Sequence, residues 1–256
     1  MYYLGAFLLI VNMKVFSQEI EDISPDRPDQ TESPDILEKN YVQFETGLFF
    51  ERDYSEHGFK STNYSLPEML IRYGLLNIIE LRFNLNYVRE DISSIFSVEN
   101  YSGLKPLGIG AKLKLFDGKN ILPKTAILMN IDLPGIGNKR YRIKHISPEI
   151  NILMNNEISN KIDLGYNAGI IWDNDEKITK EFYTVSLGVT PFNRFTFFLE
   201  SYGFFNNSSS PDLRADYGIS YTLLKNFQID ISSGIGISKI SPDYFIDLGF
   251  SVRFPN

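Results

Sequence analysis

The chain has 256 residues, no cysteine, a formal charge of -7 and 14% aromatic residues. The lack of cysteine excludes a disulfide framework and thiolate metal sites, and the negative charge argues against nucleic acid, which needs clustered Lys and Arg. Beyond the N-terminus no run reaches the roughly 18–20 apolar residues of a membrane-spanning helix.

Residues 4–12 form a short apolar run, followed by Val15, Phe16 and Ser17. This predicts a signal peptide over 1–17, cut after Ser17, although Lys14 follows the apolar run instead of preceding it. Residues 18–40 are acidic and polar, and Pro25, Pro28 and Pro34 interrupt any regular element. They form a short irregular leader with two alternatives. Either Asp26, Arg27, Pro28 and Asp29 tuck into the periplasmic mouth as a plug, with Arg27 pairing acids such as Glu45 or Glu80, or the leader is a disordered tail.

From Tyr41 onward the chain alternates. Ile79, Leu81, Phe83, Leu85 and Tyr87 are apolar, and Glu80, Arg82, Asn84 and Asn86 between them are polar. Side chains alternate across a strand, so one face is apolar and the other polar. Twelve strands are expected, near 41–51, 64–74, 78–88, 105–116, 124–133, 145–155, 161–172, 181–190, 195–204, 213–223, 226–237 and 243–254. Most have the roughly 9–11 residues of a tilted membrane strand.

The connections alternate too. Segments 75–77, 191–194 and 224–225 are short, whereas 52–63, 89–104, 134–144, 173–180 and 205–212 are longer and polar. Short periplasmic turns and longer outer loops mark a bacterial outer-membrane barrel. Two connections depart from this: 117–123 is long for a turn and 238–242 is short for a loop. Glycines 47, 74, 108, 110, 165, 169, 188, 218, 234, 236 and 249 fall on the polar register, where inside a barrel they relieve crowding and permit bending. Tyr41, Tyr64, Tyr87, Trp172, Tyr221 and Tyr244 would form interfacial girdles. The expected fold is all-β: a single closed antiparallel transmembrane β-barrel over 41–256, in the bacterial outer membrane. A soluble β-sandwich is the competing fold.

This register puts Glu45, Glu68, Glu80, Asp132, Glu149, Asp163, Glu200, Asp216, Asp230 and Asp247 in the lumen, against Arg72, Arg82, Lys112, Lys114, Arg214 and Arg253. Such charges either lock the interior as a salt-bridge network or line a selective path. The excess of acids predicts preference for cations or neutral solutes. Phe254, close to the C-terminus, is the expected assembly signal, although Pro255 and Asn256 follow it.

Asp26 through Pro34, followed by Val42 through Gly47, resembles the opening of an outer-membrane barrel family labelled "putative MetA-pathway of phenol degradation" or "transporter". Residues 67–82 resemble its next hairpin. The resemblance implies transport of small solutes, including aromatic or hydrophobic compounds. Nothing in the residues themselves points to phenol. The alternatives are a non-transporting barrel with a packed lumen and, more remotely, a lumen enzyme. Neither His57 nor His145 lies in a nucleophile motif, so no enzyme is expected. No cofactor or metal site is expected either. Outer-membrane lipid, the barrel-assembly machinery and an unidentified solute are the expected partners.

Overall fold

The structure, a computed structural model, describes residues 22–54, 60–94 and 96–255. The expected signal segment 1–17 and His57 lie outside the described residues. The strands are β1 (Tyr41–Tyr54), β2 (Lys60–Leu76), β3 (Ile79–Ser93), β4 (Val98–Leu104), β5 (Gly108–Lys119), β6 (Leu122–Asp132), β7 (Ser147–Ser159), β8 (Ile162–Asp173), β9 (Ile178–Phe192), β10 (Phe195–Phe205), β11 (Asp212–Leu224), β12 (Phe227–Gly236) and β13 (Tyr244–Pro255).

Twelve of these strands close an antiparallel barrel, and the short β4 is an extra one. Closure comes from β1 against β13, running from Tyr41↔Pro255 to Arg52↔Tyr244. It leaves no open sheet edge in hydrocarbon, where unpaired backbone groups are not tolerated. β5 pairs with the first half of β3, from Ile79 to Asn84, and β4 with the second, from Tyr87 to Ser93. Lys105 N–H donates to Asn86 O (2.8 Å) between them. Residues 89–104, expected as loop, therefore extend the β3 hairpin outward. The long turn expected at 117–123 also disappears: β5 runs to Lys119, β6 starts at Leu122, and two residues connect them.

The exposures settle which face is which. Phe83 is 41% exposed, Ile229 44% and Leu248 47%, whereas Glu80 and Lys112 are 0% and Asp216 is 1%. An apolar exterior around a buried charged interior is the inverse of a soluble sandwich and fits a barrel in lipid. Aromatic pairs mark the rims of the outer face, as in Phe50–Tyr64 (5.3 Å) and Phe195–Tyr221 (4.4 Å). Tyr41 departs from the expected girdle. It shares the inner register with Arg253, whose guanidinium lies 5.5 Å from its ring.

The leader occupies the lumen. Ile23 N–H donates to Lys225 O in the β11–β12 turn (2.8 Å), and Asn40 N–H to Gly74 O (2.8 Å). Both ends thus sit at the short-turn rim, the periplasmic one in such barrels. Between them Gln30 N–H reaches Glu200 (2.7 Å), well up β10. Residues 22–40 accordingly rise into the barrel and return without forming a strand or helix.

Candidate functional site

The leader rises first along the wall made by β1, β2, β3 and β5. On their inner register these strands carry Glu45, Arg72, Glu80, Arg82 and Lys112, all buried. Arg72 binds Glu45 and Glu80, each at 2.8 Å. Asp26 enters this cluster and bonds Arg82, Lys112 (2.9 Å) and Arg72 (3.4 Å). Burial pushes the Asp26 carboxyl up, but the charges of Arg72, Lys112 and Arg82 outweigh it and hold the group far below the usual carboxylate range. Backbone bonds add to the grip: Asp26 N–H donates to Glu45 (3.0 Å), Leu37 N–H to Glu80 (2.9 Å), and Lys112 Nζ to Ser33 O (2.7 Å). Glu32 pairs with Arg82 at 3.0 Å.

Arg27 does not pair with Glu45 or Glu80, as the leader reading expected. It turns to Asp230 on β12 (3.1 Å) and Asp247 on β13 (3.0 Å). Arg72 has already neutralised Glu45 and Glu80. The guanidinium rests on Gly47 and Gly249, which face each other across β1 and β13. A Cβ added at Gly47 would lie 2.5 Å from it and one at Gly249 2.3 Å. A Cβ at Gly74 would lie 1.9 Å from the Glu38 carbonyl oxygen. These glycines do more than relieve curvature. They are the floor on which the leader lies.

The leader tip meets a different wall. Gln30 N–H and the Thr31 hydroxyl both donate to Glu200, and Thr31 also bonds Thr184 (2.8 Å). Glu200 faces Asp216 on the adjacent β11. Asp29 lies against Glu200 and Ser186. Burial first, and then the charge of Glu200, push the Asp29 carboxyl well above its ordinary value.

Two cavities flank the tip. The outer one, 490 Å³, is lined by Phe49, Glu68, Met69, Tyr202, Phe204 and Arg214 among others. The periplasmic one, 410 Å³, is lined by Asp163, Ser186, Thr190, Ser220 and Gln228 among others. Arg27, Pro28, Asp29 and Glu32 border both and form the partition between them. A third, smaller cavity of 280 Å³ opens beside Asp35, Lys114 and Arg253 at the periplasmic rim.

The remaining residues expected in the lumen are spread along its length. Arg214 binds Glu51 (3.0 Å) and Asp212 (2.7 Å) near the outer mouth. Asp163 is reached by Asn155 (3.3 Å), and Glu149 by Asn130 (3.5 Å). Asp132 sits exposed at the outer end of β6, and Lys114 pairs with Asp117 at the periplasmic end. Arg253 reaches towards Lys225 O (3.5 Å). Phe254 lies on the outer face, edge-on to Phe44 (6.2 Å). His145 is in an outer loop, paired with Asp175 (2.7 Å).

Sequence reasoning missed two groups. Phe49, Phe198, Tyr202, Phe204 and Phe245 point inward, and Phe49 stacks on Phe245 at 5.4 Å. Their positions on the polar register were a readable signal. Ala126, Leu128 and Leu153 form a small buried apolar cluster on the inner face of β6 and β7.

A closed barrel with an apolar outer belt and its N-terminal segment folded into the lumen is an outer-membrane β-barrel protein. Solved structures share this fold. An outer-membrane channel from Pseudomonas putida F1 aligns with a TM-score of 0.70 and 14% identity, over 89% of this chain and 99% of its own. The β domain of the Bordetella autotransporter BrkA gives 0.59 and 12%, over 84% and 99%. The NanC porin gives 0.53 and 7%, over 83% and 100%. The chain itself belongs to the family described as "Putative MetA-pathway of phenol degradation", whose model matches residues 25–254. No curated protein matches the sequence.

Proposed function

We propose that the protein is an outer-membrane channel for small solutes, narrowed at mid-lumen by its own leader. One observation carries this: a 490 Å³ outer cavity and a 410 Å³ periplasmic cavity both border on Arg27, Pro28, Asp29 and Glu32 of the leader. Phe49, Met69, Leu70 and Tyr202 beside Glu68 and Arg214 give the outer cavity apolar and charged surfaces. Such a lining suits a small solute with an apolar or aromatic body and one polar group.

Single-channel recording of the purified protein tests the proposal. The expected result is a small conductance that rises when residues 19–36 are removed. Persistent silence in both forms supports the competing reading of a packed, non-transporting barrel, which the buried network around Arg72 favours. Acids outnumber bases in the lining of both cavities, with or without Asp29, so the open path prefers cations. Reversal potentials in a salt gradient measure this, and anion preference at low salt contradicts it. Phe254 serves as the assembly signal in this proposal, and Phe254→Asp lowers the yield of heat-modifiable barrel.

A further inference from the structure

We propose that the leader tip and the β10–β11 wall form a buried proton-binding site, and that losing its protons frees the tip from the wall. The inference does not depend on conduction, because it concerns where residues 29–31 rest and is read as a distance.

The geometry leads there in steps. Glu200 is 2% exposed and Asp216 1%. The two are cross-strand partners on the inner face. Neighbouring carboxyls can bond each other only if one holds a proton. Neither Asp216 oxygen has a donor among the described residues. Asp29 brings a third carboxyl against Glu200, with Asp163 on β8 adding more negative charge and the Ser186 hydroxyl on β9 contributing a bond.

No base among the described residues forms an ion pair with these acids. Arg27 is taken by Asp230 and Asp247, and Arg214 by Glu51 and Asp212. A metal ion is not the counter-charge either, since no group of carboxylates among the described residues converges closely enough to hold one. Three adjacent carboxyls in an enclosed site cannot all ionise cheaply, so the docked tip retains protons that the free tip gives up. Asp29 alone of the three sits on a segment without regular structure, so it is the one that moves.

The sign follows from linkage. Docking raises the Asp29 carboxyl above its ordinary 3.8. The latch is therefore complete below that value and is lost as pH rises through the raised one. Asp26 is held low by its cations and behaves oppositely, its anchor weakening only in strong acid. Alkaline conditions should free the tip and leave the base of the leader in place.

The chain has no cysteine, so nitroxide pairs can be placed at will in the full-length protein in lipid. One pair joins Gln30→Cys to Ser208→Cys in the outer β10–β11 loop, and a second joins Ser24→Cys to the same loop position. Between about pH 4.5 and about pH 9 the Gln30 distance should change from one narrow distribution to a broad one. The docked-to-free ratio should fall about tenfold per pH unit for each linked proton. The Ser24 distance should not change. The combined Glu200→Gln and Asp216→Asn variant should broaden less, because burial of Asp29 remains but the charge of Glu200 does not. If it fails to assemble, Asp29→Asn should remove or displace the transition instead. A Gln30 distribution indifferent to pH, broadening that survives unaltered in the variants, or parallel broadening at Ser24 would each overturn the proposal.

Discussion

The two lumen walls hold the same leader by opposite means. Along β1, β2, β3 and β5 the contacts are ion pairs, with Arg72, Arg82 and Lys112 meeting Asp26, Glu32, Glu45 and Glu80. Along β8 to β11 the inner face offers hydroxyls, amides and glycine, with Asn167, Thr184, Ser186 and Ser220 buried near Glu200 and Asp216. Asp26 and Asp29, three residues apart, consequently meet opposite fields, which push their carboxyls in opposite directions. Both walls leave buried polar atoms that no described protein group satisfies, Gln43 Oε1 and Arg82 Nε on one, and on the other those of Asn167 and, on the adjoining β12, Ser232. Polar atoms of that kind are ordinarily met by water.

The strongest way to break this comparison is Arg72→Ala. It strands Asp26, Glu45 and Glu80 without their shared cation, a loss of about 3–5 kcal/mol for a buried pair. The leader should become sensitive to added protease, and conductance should rise. A leader that stays protected would mean that the charged wall is not the anchor.

Gly74→Ala ranks next. Its Cβ would strike the Glu38 carbonyl, a backbone atom with nowhere to go, and overpacking of this kind costs about 1–3 kcal/mol. Gly47→Ala should do less, because it meets the flexible end of Arg27. Leader protection measured side by side should rank them in that order.

Arg27→Glu sharpens the contrast at the partition. It puts a fifth carboxylate among Asp29, Asp216, Asp230 and Asp247 while leaving the Arg72 cluster intact. Cation preference should strengthen and conductance should rise partway towards that of the leader deletion, both read from single channels.

The smallest effect belongs to the hydroxyl wall. Ser220→Ala and Ser232→Ala should change barrel stability by no more than about 0.5 kcal/mol, measured by thermal shift of heat-modifiable migration. A larger loss would show that this wall, too, grips the leader.

Much of the barrel was legible because its rule is local. The alternation through Glu80, Arg82 and Phe83 tells in from out wherever the strand is regular, and the lumen positions of Arg72, Lys112, Glu200 and Asp216 follow from it. It misleads where a second demand acts on the same register. Tyr202 and Phe204 point inward, and Leu128 and Leu153 are covered inside, so a polar face is not polar throughout. At the ends of β1, β3 and β5 the turn chemistry of a few residues decides where pairing stops, and composition alone placed those limits short.

By itself, the sequence determined that strands of this length and alternation must close, and that the face bearing Glu80, Arg82 and Asp216 must be the inner one. Both follow from hydrocarbon tolerating neither open backbone nor charge. Only the tertiary structure decided that Arg27 reaches Asp230 and Asp247, that Gly47, Gly74 and Gly249 are seats for the leader, and that Asp26 and Asp29 meet opposite fields. Pairings across a closed barrel join residues some 200 positions apart, as in Arg27 with Asp230, separated by 203. A pattern of period two carries no information about which of several buried acids lies within reach of one arginine.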